Sequence, residues 1–432
     1  MSRGIRGGLL GRHRDFRLLW CGETAGKFGA SVTGVAMPLV AVSTLHAGTF
    51  EVGLLTAAAW VPWLVIGLPV GVWVDRMRRR PIMLAAAAVS CLLFACVPVA
   101  AWAGRLSIGL LLTVALLTGT AAVFFQTAYS AYLPGILEPE DQPEGNAKLH
   151  GSASAAQIAG LGSGGLIAQL AGAVNGMFAN AATFLVSLLC LSGIRHREPR
   201  VTGTAHRPKS LAGEVGEGLR LVAGDPWLRT LTLFGAASNL ALMGYQSILV
   251  VFLVRGVGLG PGPVGALVAA AGIGGVAGAF VARRVAGRVG TARATLLFEL
   301  GLPVFALLIP LTTGGAGVVL FVAGGFCVSA GVVAGNVVKA SFQQRYCPPG
   351  LLGRLTATTA FLNYGTIPLG ALLGGTLGTA LGIRTAMWIT TAGVPLAALI
   401  LLFSPVGRSR DLPTSRPPRS APPHVTAVSG VQ

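Results

Sequence analysis

The stretch Gly71-Val-Trp-Val-Asp75-Arg76-Met-Arg78-Arg79-Arg80, followed by Pro81, separates two long apolar segments of this chain. Charged side chains at this density are costly in hydrocarbon, so we expect a tight turn at a membrane surface. The apolar segments on either side are each long enough to cross a bilayer as a helix. The stretch therefore predicts a protein that crosses the membrane more than once.

The composition of the whole chain also favours a membrane protein. Of its 432 residues, 53% are hydrophobic and 11% are charged, whereas soluble domains carry roughly 25% charged residues. The formal net charge of +18 does not indicate a nucleic-acid partner, because nucleic-acid binding needs a basic face on a soluble domain. We expect the basic residues to set the orientation in the membrane instead.

Apolar runs of roughly 20 residues or more, the length that crosses the hydrocarbon core, recur about twelve times. In chain order they are numbered span one to span twelve. They cover 16–45, 52–74, 82–103, 107–133, 147–171, 174–194, 228–254, 264–285, 295–313, 317–338, 355–381 and 385–403.

The basic residues between the spans fall mostly on one side of the predicted membrane. With the N-terminus inside, the cytoplasmic side holds the clusters 3–17, 76–80, 195–229, 283–293 and 408–419, together with Arg345 and Arg354. The other side holds Arg105, Arg255 and Arg384. Because basic residues accumulate in cytoplasmic loops, we expect a multi-pass protein of the cytoplasmic membrane with both termini in the cytoplasm.

The longest polar stretch before the tail divides the spans into two groups. We expect an N-terminal six-helix bundle at 1–195, a cytoplasmic linker at 196–226, a C-terminal six-helix bundle at 227–405 and a disordered cytoplasmic tail at 406–432. Within the linker, Leu211, Val215, Leu219 and Val222 recur at helical spacing, which predicts a short helix on the membrane surface.

Similar residues recur in the two groups at an offset of about 210 positions. Asp15 before span one corresponds to Asp225 before span seven, and Gly71-x-x-x-Asp75-Arg76 corresponds to Gly278-x-x-x-Ala282-Arg283. Paired transporter halves leave this kind of weak symmetry. The predicted fold class is an all-α membrane protein with twelve transmembrane helices in two six-helix, pseudo-symmetric bundles.

The turn Gly71-x-x-x-Asp75-Arg76-x-x-Arg79-Arg80 resembles the signature motif of the major facilitator superfamily, and the resemblance extends from about residue 14 to residue 403. One departure is Arg78, where the family commonly has Gly. The resemblance implies the major facilitator fold. It also implies that Asp75 and its arginines latch the cytoplasmic ends of the two halves together when the cavity opens outward.

The position of Asp75 gives this latch a physical reason. A carboxylate at the C-terminal end of a helix is repelled by the helix dipole, so Asp75 should prefer an arginine or the N-terminus of another helix. Span eleven begins on the same side, near Arg354. The second copy has Ala282 in place of the acid, so the latch is expected to be asymmetric. Alternatively, Arg79 and Arg80 are plain topology anchors.

Other stretches resemble the branch of the superfamily that contains the macrolide efflux proteins and the enterobactin exporter. They include Asp15-Phe-Arg-Leu-Leu-Trp20 and Phe124-Phe125-Gln126, and the resemblance implies export. Span five also resembles the Gly-Pro-x-x-Gly-Gly pattern of drug antiporters, although Leu161 replaces the proline. Small residues four apart allow close helix contact, so we expect packing roles for Gly160, Gly164, Gly165, Gly374 and Gly378.

Ionisable side chains inside spans are rare and mark transport pathways by default. Glu23 and Lys27 in span one share a helix face and are able to pair. Two interpretations stay open: the pair only holds helices together, or Glu23 accepts the coupling proton. For Glu299 in span nine we expect a head-group or loop contact rather than a role in coupling, and for Lys339 in span ten an anchoring role, with gating as the alternative.

In the superfamily, spans one, four, seven and ten line the cavity. The resemblance therefore implies substrate contacts for polar and aromatic residues of these spans, although hydrogen bonds between helices would explain the polar ones equally well. The candidates are Phe124, Gln126, Tyr129, Asn239, Tyr245, Gln246 and Asn336.

These features predict a secondary transporter that exports a drug or an amphipathic metabolite by alternating access, in exchange for protons. The chain has no Gly-x-x-x-x-Gly-Lys-Ser/Thr loop for ATP, and no nucleophile, base and orienting group assemble into an enzyme site. We expect no cofactor and no metal. The partners are then a small-molecule substrate, protons and membrane lipids, with the monomer as the functional unit. Import of a small metabolite, or a membrane sensor without transport, remain alternatives.

Overall fold

A computed structural model describes residues 9–138, 140–196, 211–347 and 349–414. This part of the chain is built from helices, and it contains no strand. Nine helical segments in it are long and apolar enough to cross a membrane. They are Arg14–Thr44, Arg79–Trp102, Ile108–Ile136, Ala173–Ser192, Pro226–Gly256, Pro261–Val289, Thr291–Leu311, Gly315–Tyr346 and Ile383–Leu402, which are spans one, three, four, six to ten and twelve.

The other three predicted spans are also helical. Span two consists of Thr49–Val65 and Gly67–Asp75, span five is Gln142–Ala171 and span eleven is Pro349–Leu381. Span two is interrupted at Ile66, and Pro69 explains this because it has no N–H to donate to the carbonyl of Val65. For these three segments the membrane crossing itself stays a prediction.

The two groups of spans repeat the same backbone irregularities. Spans one and seven both end in a π-helical turn, Val40–Thr44 and Phe252–Gly256. Each turn is followed by a residue with positive φ, His46 at 52° and Gly258 at 82°. Gly104 and Gly315 form a second such pair at 68° and 67°, and Gly172 and Gly382 a third, both at 84°. The backbone therefore carries the internal repeat more clearly than the side chains do.

Packing between the helices follows the same symmetry. Span one packs on spans five and six, and span seven packs on spans eleven and twelve. We call the end of the bundle that holds Arg17, Arg76 and Arg345 the arginine-rich end. The opposite end, with Arg105, Arg255 and Arg384, is the arginine-poor end.

The two halves contact each other through spans two and eleven and through spans five and eight. Toward the arginine-poor end, a Cβ on Gly165 would lie 2.5 Å from the Gly265 Cα, and a Cβ on Gly53 would lie 2.9 Å from the Gly375 Cα. Glycine is required at these positions because the backbones leave no room for a side chain. The Arg255 guanidinium also donates to the carbonyl of Val42 at 3.4 Å, joining spans seven and one.

The predicted linker helix forms at Leu211–Ala223. It packs against spans seven and eleven, and Val222 is buried. The helix therefore docks on the protein itself. Linker residues 197–210 lie outside the described residues.

The expected disorder does not extend to the first residues of the tail. A short helix, Pro405–Arg408, is followed by a segment that caps span nine: Thr291 N donates to Asp411 Oδ1 at 2.8 Å, and Leu412 N donates to Thr291 Oγ1 at 2.8 Å. Leu412 is buried between the ends of spans nine and ten. Residues 415–432 lie outside the described residues.

The close glycine contacts predict a stability difference between a packing glycine, Gly374, and the motif glycine Gly71. A Cβ on Gly374 would overlap the Gly244 carbonyl oxygen of span seven and would lie 2.8 Å from Ser247 Oγ. We expect Gly374→Ala to lower the stability of the purified protein by about 1–3 kcal/mol through overpacking, seen as a lower Tm in detergent.

Gly71→Ala is the matched control, because nothing lies within 4 Å of a Cβ at Gly71. Its Tm should stay the same or rise slightly, since alanine is the better helix former. Equal losses of Tm in both variants would contradict the packing account.

Candidate substrate cavity and ion pairs

A cavity of about 450 Å³ lies in the N-terminal half between spans one, four and five. Its walls reach the arginine-rich ends of spans four and five, so it opens toward that end. The lining residues are Glu23, Lys27, Gln126, Tyr129, Ser130, Leu133, Pro134, Leu137, Gln142, Asn146, Leu149, His150 and Ala153.

An ion pair lies on the wall of this cavity that span one forms. Lys27 Nζ lies 3.4 Å from Glu23 Oε1, and the same ammonium donates to Gln126 Oε1 at 3.1 Å. The Glu23 side chain is 8% exposed and that of Lys27 is 42% exposed. The carboxylate is thus the buried member of the pair, while the ammonium reaches into the cavity. Through Gln126 the pair also links span one to span four.

Tyr129 lies one helical turn after Gln126 on the same wall. Its ring stacks on Phe125 with 6.4 Å between the ring centroids. The cavity therefore brings together four of the residues predicted from sequence, namely Glu23, Lys27, Gln126 and Tyr129.

The opposite wall was not predicted as a substrate contact. Gln142, Asn146 and His150 follow one another at intervals of four in span five, so they lie on one face of the helix. The spacing of these three polar residues was a signal that the sequence already contained. Together with the leucines of span four, they make a wall of amides, an imidazole and aliphatic carbons, which suits a ligand that is partly polar and partly apolar.

The remaining cavity candidates lie elsewhere. Phe124 stacks on Trp73 of span two with 6.1 Å between the centroids. Asn239 Nδ2 reaches the carbonyl of Asn363 in span eleven at 3.5 Å, a contact between helices. Tyr245 is buried in the apolar core. Gln246 and Asn336 are exposed, and neither lines the cavity in the N-terminal half.

The predicted packing glycines all lie close to a neighbouring span. Gly160 and Gly164 face Phe28 and Val32 of span one, and Gly374 faces span seven. Gly165 and Gly378 instead face the other half of the protein, at span eight and at Thr49 of span two.

Within the motif turn, Arg80 makes a contact inside its own half. Its Nε and NH2 donate to the carbonyls of Leu191 and Ser192, at 3.2 and 2.6 Å, at the C-terminal end of span six. A cation at this position also suits the helix dipole. Arg76 and Arg78 are exposed and Arg79 is half-buried. The side chains of Asp75 and Arg354, on which the predicted latch depends, lie outside the described residues.

The expectation for Glu299 was wrong. It contacts neither head groups nor a loop: its side chain is 3% exposed, and its Oε1 lies 2.6 Å from Lys339 Nζ. The ammonium also lies 4.9 Å from the centroid of the Phe234 ring in span seven. A π-helical turn at Leu297–Gly301 directs Glu299 toward span ten, which the ordinary helical period does not indicate.

Comparison with known proteins agrees with this architecture. A family model described as "Major Facilitator Superfamily" matches residues 19–367. The chain is 27% identical over 409 residues to "Multidrug efflux pump Tap" of Mycolicibacterium fortuitum, covering 91% of this chain and 96% of the relative. It is 28% identical over 399 residues to the protein of that name in Mycobacterium tuberculosis strain H37Rv, covering 89% and 92%.

Solved structures share the fold at low sequence identity. A bacterial homologue of the iron transporter ferroportin in an inward-facing state superposes with a TM-score of 0.74 at 15% identity, covering 92% of this chain and 99% of that chain. A D-xylose-proton symporter superposes with a TM-score of 0.70 at 13% identity, covering 92% and 99%. With its multi-pass helical architecture and a family match over most of its length, the chain belongs to the major facilitator superfamily of membrane transporters.

Proposed function

We propose that this transporter exports amphipathic drugs or metabolites from the cytoplasm in exchange for protons. Its relatives are named multidrug efflux pumps, which supports both export and a broad choice of substrate. The observation that carries the proposal is the buried carboxylate of Glu23 on the cavity wall, balanced by Lys27. A carboxylate at this position allows a proton and a substrate to compete for binding in the cavity.

The charge of the cavity explains the competition. With Glu23 ionised, its charge cancels that of Lys27, and the pair is neutral. A proton on Glu23 leaves the pair with a net positive charge in a setting of low dielectric constant, where charges interact more strongly than in water. Cationic amphipathic substrates should therefore bind the deprotonated state and leave when the proton arrives. The same electrostatics disfavour the binding of a proton and a cationic substrate together.

Alternating access supplies the rest of the cycle. We place the arginine-rich end in the cytoplasm by the positive-inside rule, which puts both termini there and makes the described state open to the cytoplasm. The units 1–195 and 227–405 would then rock about the glycine contacts between spans two and eleven and spans five and eight. The membrane potential contributes about 2.3 kcal/mol per charge per 100 mV.

The latch belongs to the opposite state of this cycle. When the cytoplasmic ends approach each other, Asp75 at the end of span two would meet Arg354 at the start of span eleven. Arg80 already holds the end of span six at 2.6 Å, so its role is to fix the turn within its own half. Arg76 and Arg79 remain the arginines that accompany Asp75.

Import of a small metabolite is the second candidate. The three polar residues in span five would suit a hydrophilic ligand, and a D-xylose-proton symporter shares the fold. The direction of transport distinguishes the two. A membrane sensor without transport is the third candidate, and it predicts no flux in either direction.

The export proposal predicts lower accumulation of amphipathic probes in cells that contain the protein. Ethidium, rhodamine 6G and Hoechst 33342 are suitable fluorescent probes, measured with and without a protonophore. Cells with the protein should hold less probe, and the protonophore should remove the difference. Higher probe accumulation in cells that contain the protein would favour import. Equal accumulation in cells with and without the protein, for every probe, would favour the sensor.

Glu23→Gln should abolish energised efflux without unfolding the protein. The amide keeps the size of the side chain but accepts no proton, so probe levels should match those of cells without the protein, with or without the protonophore. Glu144→Gln is the matched control, because Glu144 pairs with Lys148 at the same i, i+4 spacing but is exposed. Loss of efflux in the control, or full efflux in Glu23→Gln, would refute the role of Glu23.

Asp75→Asn should abolish transport while membrane insertion and Tm remain normal, because the cytoplasmic ends lose the acid that latches them. Arg78→Gly, which restores the residue common in the family, should retain transport. Full probe efflux by Asp75→Asn would contradict the latch.

A further inference from the structure

The second buried ion pair, Glu299 with Lys339, lies in the C-terminal half, away from the cavity around Glu23. The Glu299 side chain is 3% exposed and that of Lys339 is 17% exposed. Their surroundings are apolar, with Phe234, Phe298 and Val338 buried in the same cluster. Each half of the protein therefore holds one buried glutamate that is paired with a lysine.

Two local features of the chain build this pair. The π-helical turn at Leu297–Gly301 contains Glu299. Such turns are rare in proteins as a whole, and those that occur are often found at functional sites. Across from it, span ten has Gly335, where a Cβ would overlap the carboxyl group of Glu299. Both helices thus depart from ordinary packing in order to admit one carboxylate.

Stability alone does not explain such a pair. Desolvation of two charges offsets most of their attraction, so replacing a buried ion pair by well-packed apolar residues is often neutral or stabilising. The apolar cluster around Glu299 and Lys339 would accommodate such residues. A role in transport explains why the charges are present inside a membrane span.

The position of Lys339 connects the pair to helices other than the one that holds the carboxylate. Its ammonium bridges Glu299 of span nine and the ring of Phe234 in span seven. A proton on Glu299 removes the partner of the ammonium, and an unpaired buried charge is unfavourable, so the lysine must move toward water. Protonation would therefore alter the contact between spans seven, nine and ten.

Other charged groups on the packed helices lie at helix ends. Arg293 precedes Glu299 near the start of span nine, Arg345 lies near the end of span ten, and Asp225, Arg229 and Arg255 lie at the two ends of span seven. On span twelve, Arg384 lies at the arginine-poor end, where it donates to the carbonyl of Thr312. Among the described residues, Lys339 is the charged group in direct contact with Glu299.

We propose that Glu299 and Lys339 form a second proton-coupling pair, so that one carboxylate in each half carries a proton in every transport cycle. Glu299 accepts a proton when the ion pair is accessible from one side of the membrane, and it releases the proton when the pair is accessible from the other side. This inference rests on the proposed proton-driven export. It adds a stoichiometry of two protons per substrate.

The test measures that stoichiometry in proteoliposomes that contain the full-length protein. Ethidium is set at a tenfold concentration gradient, the membrane potential is clamped at zero, and the pH difference that stops net ethidium flux is determined. One pH unit is equivalent to a tenfold gradient for each coupled proton, so two protons balance the ethidium gradient at about 0.5 unit and one proton at about 1 unit. The wild type should balance near 0.5 unit.

The double variant Glu299→Leu/Lys339→Met replaces the pair by apolar side chains of similar size. It should still exchange ethidium and should balance near 1 unit, a twofold change that follows from one proton in place of two. Glu299→Gln/Lys339→Gln is the second variant, in case the apolar pair does not fold. Glu144→Gln/Lys148→Gln removes an exposed ion pair and should balance as the wild type does.

The outcomes separate the two proposals. A wild type and a Glu299/Lys339 variant that balance at the same pH difference would overturn the second coupling pair and leave proton-driven export intact. No pH-driven flux of ethidium, rhodamine 6G or Hoechst 33342 in the wild type would overturn both.

Discussion

The close approach of helix backbones at glycine is the constraint on which the rest of this structure depends. Gly165 with Gly265, and Gly53 with Gly375, bring the two halves together at distances that no side chain would allow. These contacts lie toward the arginine-poor end, and the cavity opens at the other end. The cavity is lined by spans one, four and five of the N-terminal half, whereas the glycine contacts join that half to the C-terminal one. Alternating access requires that this contact be exchanged for one at the arginine-rich end.

The two halves share a backbone plan but differ in their charges. The π-helical turns and the positive-φ residues recur in pairs. The buried carboxylates do not, because Glu23 lies in the first helix of its half and Glu299 in the third. The motif acid Asp75 likewise corresponds to Ala282, which is fully buried. Duplication thus explains the scaffold, whereas the charged groups were placed separately in each half.

The sequence predicts the fold well because its strongest signals, the length of the apolar runs and the helical spacing of residues, follow directly from the physics of a membrane helix. Apolar length defines the spans, and all twelve coincide with helices in the described part of the chain. Glu23 and Lys27 were recognised as a pair because helical spacing places them on one face. Glu299 was misjudged because its partner lies 40 positions away and because a π-helical turn changes its direction, neither of which periodicity reveals. The C-terminal cavity candidates were inferred by analogy of span number, which says nothing about the direction of a side chain.

The most direct test of alternating access is the distance between the two halves at the arginine-rich end. Spin labels at Glu138→Cys and Gln344→Cys, both exposed positions near the ends of spans four and ten, would report it in liposomes after the six native cysteines are replaced by alanine. The account predicts two distance populations, a long one that matches the present structure and a shorter one, with the balance shifted by pH and by ethidium. A single long distance under every condition would contradict alternating access by this protein.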